Sequence, residues 1–307
     1  MMLVDLHEDI AHYFLTSLNP PPFHEDAEGR QSDLPKLRRA GADVVVAAVF
    51  PFVHVYDRWA AASQVALEGV KVYYSLAERY GVRIVERASD LWAPALKFML
   101  ALEGADVLND VGDLKLFYRL GIRVLGITWN LDNKWGHSCY AKRDGGLTAS
   151  GEELVAEAER LGVVIDLAHA SRRTALDVLA MAKRPVIISH ANVKAVHDHP
   201  RNVDDEVLKA LADNGGVIGL TLIPSTISPS PSLNHLVKHF KYVREKFGVE
   251  VLAVGTDFLG ISSAPPGLET VDKVAVLAKA LVEVGFSKEE VEAVFWRNAL
   301  QVFKRAL

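Results

Sequence analysis

The sequence predicts an α/β chain closed into a (β/α)8 barrel, and three observations predict it. Short β-rich runs alternate with longer amphipathic stretches along the whole chain. The β runs are mostly continuous Val/Ile/Leu, the pattern of parallel strands buried on both faces. About eight strand–helix units follow one another without a break in composition, which favours a closed barrel over an open doubly wound sheet. No Gly-rich phosphate fingerprint follows any of the runs, which also counts against a dinucleotide fold.

In chain order, strands are expected at Leu3–Leu6, Asp43–Phe50, Arg83–Val85, Lys97–Leu102, Arg123–Thr128, Val163–Leu167, Val186–Ser189, Gly216–Leu220 and Leu252–Gly255. Helical patterns occupy Arg58–Tyr80, Leu108–Leu120, Gly151–Leu161, Ser171–Ala182, Asp204–Asn214, Ser232–Phe247 and Val271–Val284. The tail Ser287–Leu307 reads as a C-terminal helix. Ser150 with Glu153, and Ser287 with Glu290, have capping-box spacing. The Pro- and Ser-rich loop Thr221–Pro231 is expected at a rim. With no low-complexity linker and no repeat, 1–307 reads as one domain.

Composition narrows the function. Half of the 307 residues are hydrophobic, ample for one large core. A net charge of -5 without a basic run argues against a nucleic-acid surface. The longest apolar runs, such as Val44–Phe52, are too short to span a bilayer, and no secretory pattern opens the chain. The only cysteine, Cys139, rules out an intrachain disulfide and a thiolate-rich zinc site. A soluble cytoplasmic protein with no membrane association is the expectation. The scarcity of Gln (Gln31, Gln64 and Gln301) fits a warm environment.

A barrel carries its catalytic groups at the C-terminal ends of several strands. Five apolar runs here end in ionisable residues: "LVDLHED" in His7, Glu8 and Asp9, "FMLALEG" in Glu103, "VVIDLAHAS" in His169, "PVIISHA" in His190 and "VLAVGTDF" in Asp257. Residues i and i+2 share a face of a strand, so His7 and Asp9 face the barrel mouth and Glu8 points away. Singly, each has a bland reading: a polar turn, a carboxylate bound to backbone N–H groups, a hydrogen-bonded core histidine. Together, His7, Asp9, Glu103, His169 and His190 are too many ligands for one tetrahedral zinc and suit two zincs sharing a bridging carboxylate. Two ions roughly 4 Å apart can activate one water and polarise a carbonyl or phosphoryl oxygen. Asp166, earlier in its strand, reads as a residue that orients a ligand or as a structural one. Asp257 is a candidate base or ligand.

The segments "DLHED", "ALEG", "GIRVLGITWN", "GLTASGEELVAEAERLGVVIDLAHAS", "PVIISHANVKAVHDHPRNVDDEVL", "VGTDF" and "NALQVF" run in order across nearly the whole chain. They resemble the membrane dipeptidase (renal dipeptidase-like) zinc metallopeptidases, members of the amidohydrolase-type barrels. The blocks around His169 and His190 are the most specific. The resemblance implies that His7 and Asp9 bind one zinc, His169 and His190 the other, and Glu103 bridges them. It places Asp257 beside a metal-bridging hydroxide as the proton carrier. It gives Arg201, in "HPRNVDD", the substrate's terminal carboxylate, a task for which a guanidinium is suited. It further implies a dipeptide substrate, tolerance of a D-residue at the second position, and a homodimer.

This chain departs from the family pattern twice. Trp129 stands where the mammalian pattern has a histidine that helps polarise the scissile carbonyl, and an indole N–H donates one hydrogen bond without becoming a cation. Trp129 and Asn130 are expected at the substrate, with Asn130 or His137 as stand-ins for that histidine. Leu259 replaces the second acid of the family's "DFDG". The signal and lipid-anchor tail of secreted members are not expected here. The same barrel also serves N-acyl amino acid amidohydrolases, lactonases and deaminases, and a metal- or peptide-binding relative without catalysis is a further reading. Cobalt and manganese are alternatives to zinc.

Overall fold

Eight parallel strands close on themselves in this computed structural model, which describes residues 1–51 and 59–307. The sheet has nine strands among the described residues, these eight and one short addition: β1 (Leu3–Glu8), β2 (Ala42–Val49), β3 (Arg83–Ile84), β4 (Lys97–Leu102), β5 (Ile122–Gly126), β6 (Val164–Asp166), β7 (Ile187–Ala191), β8 (Val217–Leu220) and β9 (Leu252–Val254). β1 pairs with both β2 and β9, β2 with β4, and β4 to β9 pair in sequence, which completes the ring. The two-residue β3 lies beside the start of β4, with Arg83 opposite Lys97, and is not a stave of the barrel. Every expected strand run therefore forms a strand, and the architecture is the expected (β/α)8 barrel.

Alternation explains the continuous apolar runs. Val44 and Val46 face an inner cluster with Val4, Leu6, Met99, Ala101, Val124, Val164, Ile187, Val217 and Ala253. Val45, Ala47 and Val49 face an outer cluster shared with the helices. Both faces need apolar side chains, each worth about 1.5–3 kcal/mol when fully buried.

The helices are α1 (Ile10–Thr16), α2 (Leu34–Ala40), α3 (Trp59–Tyr80), α4 (Val111–Arg119), α5 (Ala149–Leu161), α6 (Arg172–Met181), α7 (Asp205–Asn214), α8 (Pro224–Ile227), α9 (Leu233–Phe247), α10 (Ala275–Glu283), α11 (Lys288–Glu292) and α12 (Asn298–Ala306). Among the described residues, none is long and apolar enough to cross a membrane. Arg58, the first residue of one expected helix, and Phe52, the last of the apolar run, lie outside the described residues.

The expected C-terminal helix is α11, one π-helical stretch (Ala293–Arg297) and α12. Ala299, Leu300, Val302 and Phe303 of α12 join the inner cluster and so plug the barrel beneath its polar end. The capping box of Ser287 and Glu290 forms. That of Ser150 and Glu153 does not: α5 starts two residues earlier, where Thr148 accepts from the Gly151 N–H. Thr148 is fixed there because its N–H and hydroxyl also bind the Trp135 and Lys134 carbonyls.

One packing detail bears on the site. The Ser189 carbonyl lies against the backbone of β8 and the residue after β9, so a Cβ added at Gly255 would stand 1.8 Å from it, and one at Gly219 2.1 Å. No side chain fits between backbone atoms that close. Gly255→Ala is expected to cost about 3 kcal/mol, the upper end of ordinary overpacking, read as a fall in the denaturant midpoint, since the carbonyl that meets the Cβ is backbone and the strands must part.

Candidate metal centre

The polar end of the barrel is built from residues that terminate its strands. His7 is in β1, and Asp9 follows as the N-cap of α1. Glu103 follows β4 directly, His169 lies three residues beyond β6, His190 is in β7, and Asp257 lies three residues beyond β9. His169 and Asp257 have positive φ, 66° and 64°, and Leu259 follows with 68°. Such backbone costs about 1–3 kcal/mol per non-glycine residue and persists only where neighbours enforce it. Here the His169 carbonyl accepts from the Cys139 N–H (2.7 Å) and the Thr128 hydroxyl (3.2 Å), and the Asp257 N–H donates to the His7 carbonyl (3.0 Å).

The side chains converge. His169 Nε2 lies 2.9 Å from His190 Nε2 and 3.1 Å from Glu103 Oε1, and His190 Nε2 is 3.7 Å from the same oxygen. His7 Nε2 lies 3.4 Å from Asp9 Oδ2, 3.7 Å from Glu103 Oε1 and 3.8 Å from Asp257 Oδ1. The His7 and His190 ring centroids are 3.9 Å apart. All six residues are buried. Two groups able to hold a cation result, His7–Asp9–Glu103 and Glu103–His169–His190, with Glu103 common to both. A third grouping puts Asp166 with His7 and His190. Asp166 is a poor ligand, because its oxygens already accept from the Ala168 and Ser189 N–H groups and the Ser189 hydroxyl.

Two observations show that these residues fit divalent cations. Asp9 Oδ1 and both His7 ring nitrogens are buried without a hydrogen-bond partner among the described residues, a costly state for a polar atom. The second concerns the facing imidazoles. His169 Nδ1 lies 2.7 Å from Asn130 Oδ1, an acceptor, so that nitrogen carries the proton and Nε2 presents a lone pair. Burial, reinforced by Arg201 at His169 and by His7 and Arg201 at His190, holds both histidines well below the usual imidazole range, hence neutral. A shared cation suits such a pair, and an N/O donor set of this kind suits zinc.

The carboxylates need the same compensation. Burial pushes Glu103 well above the usual carboxylate range, and the charge of Asp9 adds to it. Burial also pushes Asp257 up to about 7. Burial alone would lower His7, but Glu103, Asp9 and Asp257 around it raise it to about 10.

Above this floor opens a cavity of about 240 Å³, bounded by Asp9, Glu103, His169, His190 and Asp257 below. Arg201, buried, reaches in from one side, its Nη2 3.1 Å from His169 Nε2 and 3.2 Å from the His190 carbonyl. Trp129 stands opposite Phe50, ring centroids 5.0 Å apart, and 6.0 Å from the His169 ring. Asn130 also lines the cavity, with its amide oxygen on His169. His137 is not in the wall; its Nδ1 is beside Asp132 (3.4 Å).

Three wall residues had no signal in the sequence, His12, Tyr140 and His199, whereas Ile223, Ser225 and Thr226 come from the Thr221–Pro231 segment expected at a rim, part of which forms α8. Glu8 points away from the cavity as expected, but into a fully buried position where neither carboxylate oxygen finds a partner among the described residues. Asp5, one turn of the pleat below His7, binds the Thr256 N–H (2.9 Å) and hydroxyl (2.6 Å) and so ties β1 to the end of β9.

A parallel eight-stranded barrel with a nest of imidazoles and carboxylates at the C-terminal ends of its strands has the architecture of the metal-dependent hydrolases. The chain matches the profile of the membrane dipeptidase family, peptidase family M19, over residues 1–307, and it belongs to that family. It is 31% identical over 320 residues to Dipeptidase 3 of Rattus norvegicus, covering 99% of this chain and 64% of that protein. It is 32% identical over 246 residues to Dipeptidase verJ of Clonostachys rogersoniana, covering 77% of this chain and 63% of that one. The chain thus spans a little under two thirds of the length of these relatives. In fold it is similar to a metallo peptidase from Rhodobacter sphaeroides solved with a phosphinate mimic of the dipeptide L-Ala-D-Ala, with a TM-score of 0.90, 22% identity, and 100% and 99% of the two chains covered.

Proposed function

We propose that this protein is a metal-dependent dipeptidase with two zinc ions. The observation that carries the reading is the pair of buried ligand groups sharing Glu103, with the Arg201 guanidinium in the wall of the same small cavity. Bound there, the ions supply a nucleophilic water at neutral pH and polarise the scissile carbonyl. The residues of the chain do the rest. Arg201 binds the substrate's free carboxylate through its fork of N–H donors. Asp257, near neutrality in its affinity for protons, takes a proton at its carboxylate and returns it to the leaving amine. The cavity is smaller than the roughly 300–1,000 Å³ of drug-sized sites, which favours dipeptides over longer chains. The L-Ala-D-Ala mimic on the Rhodobacter protein supports including dipeptides with a D-residue at the C-terminal position.

The test is zinc-loaded against chelator-stripped protein on a panel containing L-Ala-L-Ala and L-Ala-D-Ala. Amino acid release only with metal is expected. No release from protein holding two ions per chain would move the substrate to another amide or ester class.

Arg201→Ala is expected to raise KM for dipeptides about 10- to 100-fold, since a hydrogen bond to a charged group is worth about 1.5–3 kcal/mol. C-terminally amidated dipeptides should show no such change. An equal loss on both substrates would remove Arg201 from carboxylate binding.

A further inference from the structure

The metal centre has two imidazoles whose outer nitrogens are held differently. His169 Nδ1 meets a neutral amide oxygen, that of Asn130. His190 Nδ1 meets the Ser189 hydroxyl at 2.8 Å, and that hydroxyl lies 2.5 Å from Asp166 Oδ2. Asp166 Oδ1 is already taken by the N–H groups of Ala168 (3.0 Å) and Ser189 (2.8 Å). All three side chains are buried.

Proton counting gives the direction of this chain. A hydroxyl has one proton and two lone pairs. If the Ser189 proton pointed at His190, lone pairs of Ser189 and of the Asp166 carboxylate would face each other at 2.5 Å. The proton therefore lies between Ser189 and Asp166, and Ser189 accepts from His190 Nδ1–H. Nε2 is left bare, and it is the nitrogen that faces Glu103 and His169.

We propose that Ser189 is a positioning residue, which relays the Asp166 carboxylate to His190 and locks that imidazole in its Nδ1–H form with Nε2 offered to the metal centre. The backbone makes the lock rigid. The Ser189 carbonyl is wedged against Gly219 and Gly255, so the residue cannot shift along the barrel wall. The carboxylate behind His190 supports the electron density at Nε2 through the shared proton. The neutral Asn130 gives His169 the same tautomer without that charge.

The Nδ1–H form of His190 is a property of the metal-free chain. Only its consequence for metal affinity rests on the proposed function. The experiment is nitrogen NMR of metal-free protein carrying 15N-histidine, with His190→Ala to assign the His190 signals. Wild type is expected to show His190 protonated at Nδ1. Ser189→Ala is expected to move His190 toward Nε2–H while the His169 signals stay in place. In chelator competition, Ser189→Ala should lose about 10- to 100-fold in zinc affinity, the usual effect of removing a partner that orients a ligand. A wild-type His190 protonated at Nε2, or a tautomer unchanged in Ser189→Ala, overturns the relay. A shifted tautomer with unchanged zinc affinity keeps the relay and removes His190 from the metal centre, a failure of the functional proposal instead.

Discussion

Glu103→Gln is expected to lower metal-dependent dipeptide hydrolysis at least about 10³-fold, the largest effect of any single change in this chain. Glu103 Oε1 is the atom within 3.1–3.7 Å of all three imidazole Nε2 atoms, and it belongs to both ligand groups. The amide keeps the shape and removes the charge that two neighbouring cations would share. Losing several kcal/mol of transition-state charge stabilisation corresponds to about three powers of ten in rate at 1.36 kcal/mol each. The fold should survive. In the metal-free chain a neutral amide relieves the burial and the Asp9 repulsion that disfavour an ionised Glu103, and gives up the attraction to His7 in exchange. With the two effects offsetting, the metal-free variant is expected to melt close to wild type, and to lose most of the thermal shift that zinc gives the wild type. Activity within tenfold of wild type would sink the bridging role. A metal-free variant that melts far lower would make Glu103 a structural carboxylate.

The parts of the site that were legible in the sequence are those that break an apolar run. His169, His190, Glu103 and Asp257 each close a mostly apolar run, and it is their recurrence at one end of several strands, not any one of them, that marks a site. His7 was legible through the two-residue strand period, and the same spacing picked out Asp9, which lies just past β1 as the N-cap of α1. What was hidden depends on contacts between different loops. That Asn130 holds His169, 39 positions away, requires the β5 loop to fold over the end of β6. Ser189 looked like an ordinary strand residue, because its role depends on the β6–β7 register, which pairs Asp166 with Ile187 and lets the Asp166 carboxylate reach Ser189 two residues on. The positive φ of His169 and Asp257 runs against the preference of L-residues, so no propensity could announce it. The fold shows the same division. Long buried strands were plain, whereas the seven-residue α1, directly after β1, is too short to display a helical period. The α5 start was set by Thr148 binding the Lys134 and Trp135 carbonyls, which overrode the local Ser150 signal.

The second large effect is the stability gained from metal, and its pH dependence follows from the protons the ions must displace. In the metal-free chain, His169 and His190 are held neutral below their usual range, so their contribution is present above about pH 6.5 and is lost as the pH falls. Asp257, raised to about 7, and Asp5, raised to about 6, contribute below their usual 3.8 and lose that contribution as pH climbs to those values. His7, raised from 6.5 to about 10, contributes below 6.5 and loses it as the pH rises through about 10. Above neutrality, then, the metal-free chain loses stability with pH, led by the proton on His7. A bound cation needs the His7 imidazole neutral and the Glu103 carboxylate, itself held well above its usual range, ionised, so binding releases protons and tightens as pH rises. Each ion at 1,000 times its dissociation constant adds about 4 kcal/mol. For a chain of this size two such ions correspond to a rise in melting temperature on the order of 10 °C or more. The zinc-induced rise is accordingly expected to be smallest at pH 6 and to grow through pH 8.5, measured by calorimetry against chelator-treated protein. Wild type showing a shift that is flat or shrinks over that window would mean that the ions bind groups already free of protons, and not His7 and its carboxylates. Glu103→Gln provides the internal control, because the ion-linked rise should flatten in it while the His7 dependence of the metal-free chain weakens with the loss of one of the charges that sustain it.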